Sequence, residues 1–335
     1  MIVSRNGEPA YGGVGTFCKA PLALRPEELE GVDVAIVGAP FDEGVSYRPG
    51  ARFGPRAIRE ADNFFLHPPS RPHMYLGVDA FAELKIVDYG DAECPPADLL
   101  ASHAEIKARV TEILQAGVIP VVLGGDHSLA YPDITVVAEH FGKGQVGVIQ
   151  FDAHADTAPN NIDRAAPHGV GMRRVVEEGF IRGEHFIQVG LHGYFPNPED
   201  FDWMRSVGMR WYTAEEIDER GMAAVADELV STARSEFPDA IFISFDIDVF
   251  DGAFAPGTGA PEPGGLTPRE VLPALRRVFR ELPIIGMELV EVAPAYDPAA
   301  ITPILAHRCI LEALSALALR RTGHEPRPQF SAVTA

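Results

Sequence analysis

Three short segments hold the residues best suited to chemistry: GGDHS at 124–128, DAHAD at 152–156 and SFDIDVFD at 244–251. In the second, Asp152, His154 and Asp156 stand two residues apart, so in an extended chain their side chains point to one side. Asp246 and Asp248 repeat that spacing, and His127 follows a Gly-Gly pair that lets the backbone approach closely. Singly, such Asp and His residues cap helices or satisfy loop backbone. Gathered at one place, four carboxylates repel or hold protons unless cations sit among them, and two divalent ions would match their charge. Two His and four Asp make a hard donor set with no thiolate. It favours Mn²⁺ and related octahedral ions over structural zinc, with Ni²⁺ or Co²⁺ as alternatives. Two such ions about 3.5 to 4 Å apart lower the pKa of a shared water, which makes hydrolysis the first reaction class to consider.

The elements that must carry these residues are apolar runs rich in Val and Ile: 32–38, 84–90, 118–125, 146–154, 185–193, 240–246 and 284–292, with a shorter candidate at 208–213. They read as buried strands. Helical spacing occupies 96–117, 213–237 and 267–282 between them. Near-continuous apolar strands alternating with amphipathic helices predict an α/β fold: three α/β/α layers around a mostly parallel sheet of about eight strands. Ligands of such sheets bind outside the strands' carboxyl ends, where GGDHS, DAHAD, SFDIDVFD and EVAP (291–294) all fall. No linker, repeat or low-complexity tract divides the chain. The expectation is one domain over 1–335, with an N-terminal arm to about residue 30 and a mobile tail over about 322–335.

Composition excludes other classes. The 335 residues include 28 Lys and Arg against 48 Asp and Glu, a net charge of −20, which argues against a nucleic-acid partner. No run approaches 18 apolar residues and the first residues carry no secretory pattern, so neither a membrane partner nor export is expected. Three cysteines, Cys18, Cys94 and Cys309, form no CxxC spacing and suggest neither a disulfide framework nor a thiolate metal site. A reducing cytoplasm follows as the expected location.

Together the three motifs, with AFAPGTGAPEPGGLT (253–267), resemble those of the ureohydrolase family of arginases and agmatinases. PFDEGVSYRPGARFGPRAIRE (40–60) resembles the agmatinase branch, and the match covers nearly the whole chain. The resemblance implies an arginase-like fold with two Mn²⁺ per subunit. One would be held by His127, Asp152, Asp156 and Asp246, the other by Asp152, His154, Asp246 and Asp248. It further implies that Glu291 binds the substrate guanidinium, Asp156 moves a proton to the leaving amine, and His168, in PHGVGM, relays protons to solvent. Asp126 and Asp251 could orient ligands or serve as loop carboxylates.

The chain departs from many agmatinase-like sequences at Val170, His192, Gly252 and Ala260, none of them an implied metal ligand. The loop 157–174 does not match the arginase segment that recognises the amino-acid end of arginine. Arginine is therefore a poor substrate candidate, and the acidic balance favours a cationic one: the expected substrate is agmatine, cleaved to putrescine and urea, with guanidinobutyrate, guanidinopropionate, free guanidine or an alkylguanidine as alternatives. Arg164, Arg173 and Arg174 either meet a substrate carboxylate or serve as solvated or helix-start arginines. A single-metal deacetylase lacks the second ligand set and the guanidinium anchor, whereas a catalytically silent subunit would keep the ligands without turnover. A homo-trimer or homo-hexamer is the assembly that the resemblance implies.

Overall fold

The computed structural model describes residues 12–62, 72–159 and 167–326. Among these residues eight strands form: β1 (Val34–Gly38), β2 (Ile86–Asp91), β3 (Ile119–Leu123), β4 (Gly147–Phe151), β5 (Phe186–Leu191), β6 (Arg210–Thr213), β7 (Ile241–Asp246) and β8 (Ile284–Val290). Each lies within an apolar run picked out by the sequence, apart from Asp91 at the end of β2. They make one sheet in the order β2-β1-β3-β8-β7-β4-β5-β6. Every pairing is parallel, where the sequence predicted a mostly parallel sheet.

The helices are α1 (Gly54–Glu60), α2 (Ala80–Glu83), α3 (Leu99–Gln115), α4 (Ala130–Phe141), α5 (Gly171–Glu177), α6 (Pro198–Ser206), α7 (Ala214–Arg220), α8 (Met222–Glu236), α9 (Pro268–Glu281) and α10 (Ile301–Thr322). Strand alternation divides the core between the two faces. Val34, Ile36, Ile149, Phe151, Ile243 and Phe245 face a cluster shared with α8, α9 and α10. Ala35, Val37, Val148 and Phe242 face one shared with α3, α4 and α5. This is the expected three-layer architecture.

Local chemistry sets the helix ends. A reciprocal capping box between Thr267 and Glu270, with Pro268 at the first helical position, starts α9. The single helix expected over 213–237 is two, because Gly221 takes φ 81° and closes α7 before α8 begins. Helix α10 has a stretch of mean hydropathy 1.3, long and apolar enough by composition to cross a membrane. It is two-thirds buried inside the protein, packed chiefly on α9. Residues 12–30 of the N-terminal arm are largely packed on the domain, with Phe17, Cys18 and Leu29 buried. Residues 1–11, the tail beyond 326 and Arg164 lie outside the described residues.

In this strand order the chain leaves β3, passes over the positions later taken by β8 and β7, and resumes at β4. The carboxyl ends of β3, β8, β7 and β4 therefore meet at the reversal of winding, where an open α/β sheet offers its crevice.

Candidate metal centre and active site

All six sequence-derived donors converge on that crevice. His127 opens the turn after β3, Asp152, His154 and Asp156 follow β4, and Asp246 ends β7 with Asp248 just beyond. His127 Nδ1 lies 3.0 Å from Asp152 Oδ2, 2.8 Å from Asp156 Oδ2 and 3.2 Å from Asp246 Oδ2. His154 Nδ1 lies 3.1 Å from Asp248 Oδ2 and 3.7 Å from Asp152 Oδ1. The donors form two groups, His127 with Asp152 and Asp156, and Asp152 with His154 and Asp248, each spanning no more than 4.8 Å. Asp152 belongs to both.

Burial and mutual repulsion govern these groups. Burial, then Asp248 and Asp156, raises the Asp152 carboxyl to about 7, and burial with Asp248 and Asp152 pushes Asp246 well above the carboxylate range. Burial resists charge on His154, yet Asp248 and Asp152 raise it to about 11. Burial also opposes ionisation of Asp156, but His127 and His154 hold it below its ordinary value. The cluster thus keeps its negative charge in check by retaining protons, which divalent cations displace on binding. His127 Nδ1 is buried without a hydrogen bond while facing three carboxylates. Against burial, those carboxylates raise the His127 pKa well above its ordinary value; a divalent ion displacing that proton would meet one nitrogen among hard oxygen donors, so the donor set fits a two-ion centre.

A polar row crosses the sheet beneath the donors. Gln188, Gln150, Ser244 and Glu288 are register neighbours on β5, β4, β7 and β8, all fully buried. Gln188 Nε2 donates to Gln150 Oε1 at 2.6 Å, and Gln150 Nε2 donates to Asp152 Oδ2 at 2.6 Å. Ser244 Oγ lies 2.8 Å from His127 Nε2, fixing the ring edge opposite the donor cluster. Sequence reading missed this row. Its signal was present in Gln150 and Ser244, each polar in an apolar strand and two residues before a donor aspartate.

Glu291, directly after β8, is buried and adopts φ 64°, while Asp156 adopts φ 53°; these left-handed conformations turn both side chains into the crevice at a cost in strain. Glu291 Oε1 accepts the His127 N–H at 2.8 Å and lies 3.2 Å from His168 Nδ1. The Ser46 N–H donates to His168 Nε2 at 2.9 Å, so the neutral ring carries its proton on Nδ1, facing Glu291. Burial presses the His168 pKa down, and Glu291 more than offsets it, giving about 9.

Asp126 accepts the Ser128 and Gly44 N–H groups and Asp251 those of Ala253 and Gly264, so both hold loops. Arg173 pairs with Glu177 and stacks on Trp203, and Arg174 pairs with Glu178 and stacks on Tyr131, leaving both as helix-start arginines. Of the departures, Ala260 lines the cavity, Val170 is buried ahead of α5, and Gly252 sits in a turn. His192 Nδ1 is 2.7 Å from the Gly190 carbonyl.

A parallel α/β sheet presenting this donor cluster over a cavity of about 360 Å³ defines a hydrolytic enzyme of the metal-dependent class. The sequence matches the family model described as the Arginase family over residues 32–316. The chain belongs to that family, whose enzymes hydrolyse guanidino compounds. It is 38% identical to proclavaminate amidinohydrolase of Streptomyces clavuligerus over 91% of this chain and 93% of that one. The solved structure of that enzyme superposes with a TM-score of 0.84 at 37% identity, covering 93% of this chain and 100% of the other. Guanidinobutyrase of Pseudomonas aeruginosa is 36% identical over 93% and 95% of the two chains, and mitochondrial agmatinase of Gallus gallus 39% over 91% and 86%.

Proposed function

We propose that this chain is a binuclear manganese hydrolase that cleaves agmatine to urea and putrescine. His127, Asp152, Asp156 and Asp246 would hold one ion, and Asp152, His154, Asp246 and Asp248 the other. Bound there, the pair supplies a water acidic enough at neutral pH to attack a guanidinium carbon. The rest falls to the protein's own groups. Glu291 places a carboxylate opposite the substrate cation. Its Oε1 is taken by His127 N–H and the His168 ring, which leaves Oε2 for the guanidinium. Gly259 keeps that approach open, since a Cβ there would stand 3.3 Å from Oε2. Asp156, at the cavity wall, carries a proton to the departing amine. His168, held by Ser46 and Glu291 at the rim, exchanges protons with solvent.

The observation that carries the choice of substrate is the charge of the wall. Away from the donor cluster the cavity is lined by Glu262 and by Asp200, whose carboxylate caps α6 and lies 3.9 Å from Arg173, so Glu262 carries the wall's charge, and no Lys or Arg lines it among the described residues. Such a wall suits a substrate cationic at both ends and disfavours a guanidino acid. Replacing Glu262 with Gln should lower kcat/KM for agmatine roughly tenfold, the loss of one charge-assisted contact, and leave 4-guanidinobutyrate hydrolysis unchanged or improved. Equal effects on both would remove the basis for agmatine. Higher kcat/KM of the unaltered enzyme for 4-guanidinobutyrate than for agmatine would establish a guanidino acid hydrolase instead.

A further inference from the structure

A second set of metal donors lies away from the crevice, where the N-terminal segment, the end of α1 and helix α10 meet. Cys18 Sγ, a carboxylate oxygen of Asp62 and a ring nitrogen of His307 all lie within 4.8 Å of one another. Cys18 and His307 are buried and Asp62 is half-buried. Cys18 Sγ is 3.3 Å from His307 Nε2.

The orientation of His307 is fixed from its other side. Its Nδ1 lies 2.8 Å from the Ile58 carbonyl, which can only accept, so Nδ1 carries the proton and Nε2 turns a lone pair toward the sulfur. Phe17 stacks on the ring at a centroid distance of 4.4 Å and holds its plane. A ring bonded to a backbone carbonyl through one nitrogen, with the other facing a cysteine sulfur, has the arrangement of a metal-ligating histidine.

Donor type and size agree. A thiolate, a carboxylate and an imidazole within 4.8 Å of one another are donor types that a divalent zinc ion takes together. Zn–S of about 2.3 Å and Zn–N of about 2.0 Å at the tetrahedral angle place sulfur and nitrogen roughly 3.5 Å apart, close to the separation found. Sulfur makes this donor set soft where the crevice is hard, so the two sites select different ions.

We propose that Cys18, Asp62 and His307 form a zinc site that clips the N-terminal segment and the end of α1 to α10. Binding forms a sulfur–zinc bond, and the thiol proton leaves to solvent; no electron moves. Among the described residues three side chains supply the donors. The sequence conceals the site because Cys18 and His307 are 289 positions apart and no CxxC spacing marks it.

The test uses the full chain with its crevice saturated by Mn²⁺ and Co²⁺ as the optical probe. Thiolate ligation gives a near-ultraviolet charge-transfer band, which the sulfur-free crevice cannot produce. The expected result is a band that saturates at about one equivalent of Co²⁺, is displaced by Zn²⁺, persists in Cys94→Ser and vanishes in Cys18→Ser. Asp62→Asn, at a half-buried position, should keep the fold and weaken Co²⁺ binding at least tenfold, which keeps the test decisive if Cys18→Ser misfolds. No band in the unaltered protein, a band surviving Cys18→Ser, or unchanged affinity in Asp62→Asn would overturn the proposal. None of these readouts depends on urea release.

Discussion

Replacing Ser244 with Ala removes one oxygen from beneath the donor cluster and leaves every proposed ligand in the sequence. Ser244 is fully buried, and its Oγ sits 2.8 Å from His127 Nε2. The ring directs Nδ1 at Asp152, Asp156 and Asp246, so a neutral ligating imidazole must carry its proton on Nε2, where the serine oxygen accepts it. With alanine there, that N–H is left unmet, because Glu288 Oε1, 3.9 Å from Nε2, is beyond hydrogen-bonding distance. An unsatisfied buried donor costs about 1 to 3 kcal/mol, and loss of a partner behind a metal ligand weakens metal binding roughly 10- to 100-fold, about 1.4 to 2.8 kcal/mol. Mn²⁺ titration followed by calorimetry should show the ion held by His127 weakened by that factor, with the His154 ion less affected. Far-ultraviolet circular dichroism should be unchanged. Mn²⁺ affinities within twofold of the unaltered protein at both positions would refute the claim that Ser244 orients His127.

Two further predictions test other parts. Glu291→Gln should retain both Mn²⁺ ions by elemental analysis while lowering kcat/KM for any guanidino substrate by about 100-fold or more, since it removes the only charge proposed to oppose the guanidinium; near-normal turnover would overturn that role. Glu312 in α10 accepts bonds from His73 at 2.7 Å, Arg276 at 2.8 Å and Arg308 at 2.7 Å, and although burial raises its pKa, these donors bring it down to about 2 from an ordinary 4.5. A depressed carboxylate stabilises the fold above its unfolded pKa and loses that contribution as pH falls, so the loss spans about pH 4.5 down to 2. Urea denaturation of the metal-free protein should find Glu312→Gln about 3 kcal/mol less stable than the unaltered chain near pH 6, with the gap closing toward pH 2. A gap independent of pH would show that the carboxylate's charge is not what matters.

The legible part of this protein was what repeats at short range. The two-residue spacing picked out Asp152, His154 and Asp156, although the structure gathers them beyond the end of β4 with Asp156 turned in by its φ of 53° and not by strand alternation. Unbroken apolar runs marked the eight strands of the described residues. What escaped depends on register and on contacts between distant segments. Gln188, Gln150, Ser244 and Glu288 are adjacent only because β5, β4, β7 and β8 pair in that alignment. Ser46 meets His168 across 122 residues. The break at Gly221 was hidden because helical periodicity continues on both sides of a residue whose backbone alone turns the chain. Arg173 and Arg174, candidates for a substrate carboxylate, are occupied by Glu177 and Glu178 one helical turn away, a partnership their spacing already offered.

The most direct test of the central claim is urea release from the Mn²⁺-loaded protein across agmatine, 4-guanidinobutyrate, 3-guanidinopropionate, arginine and guanidine, against a chelated control. The account predicts metal-dependent turnover with the highest kcat/KM for agmatine and little or none for arginine. Urea release that survives full chelation, or silence on every guanidino compound with two ions bound per chain, would contradict it.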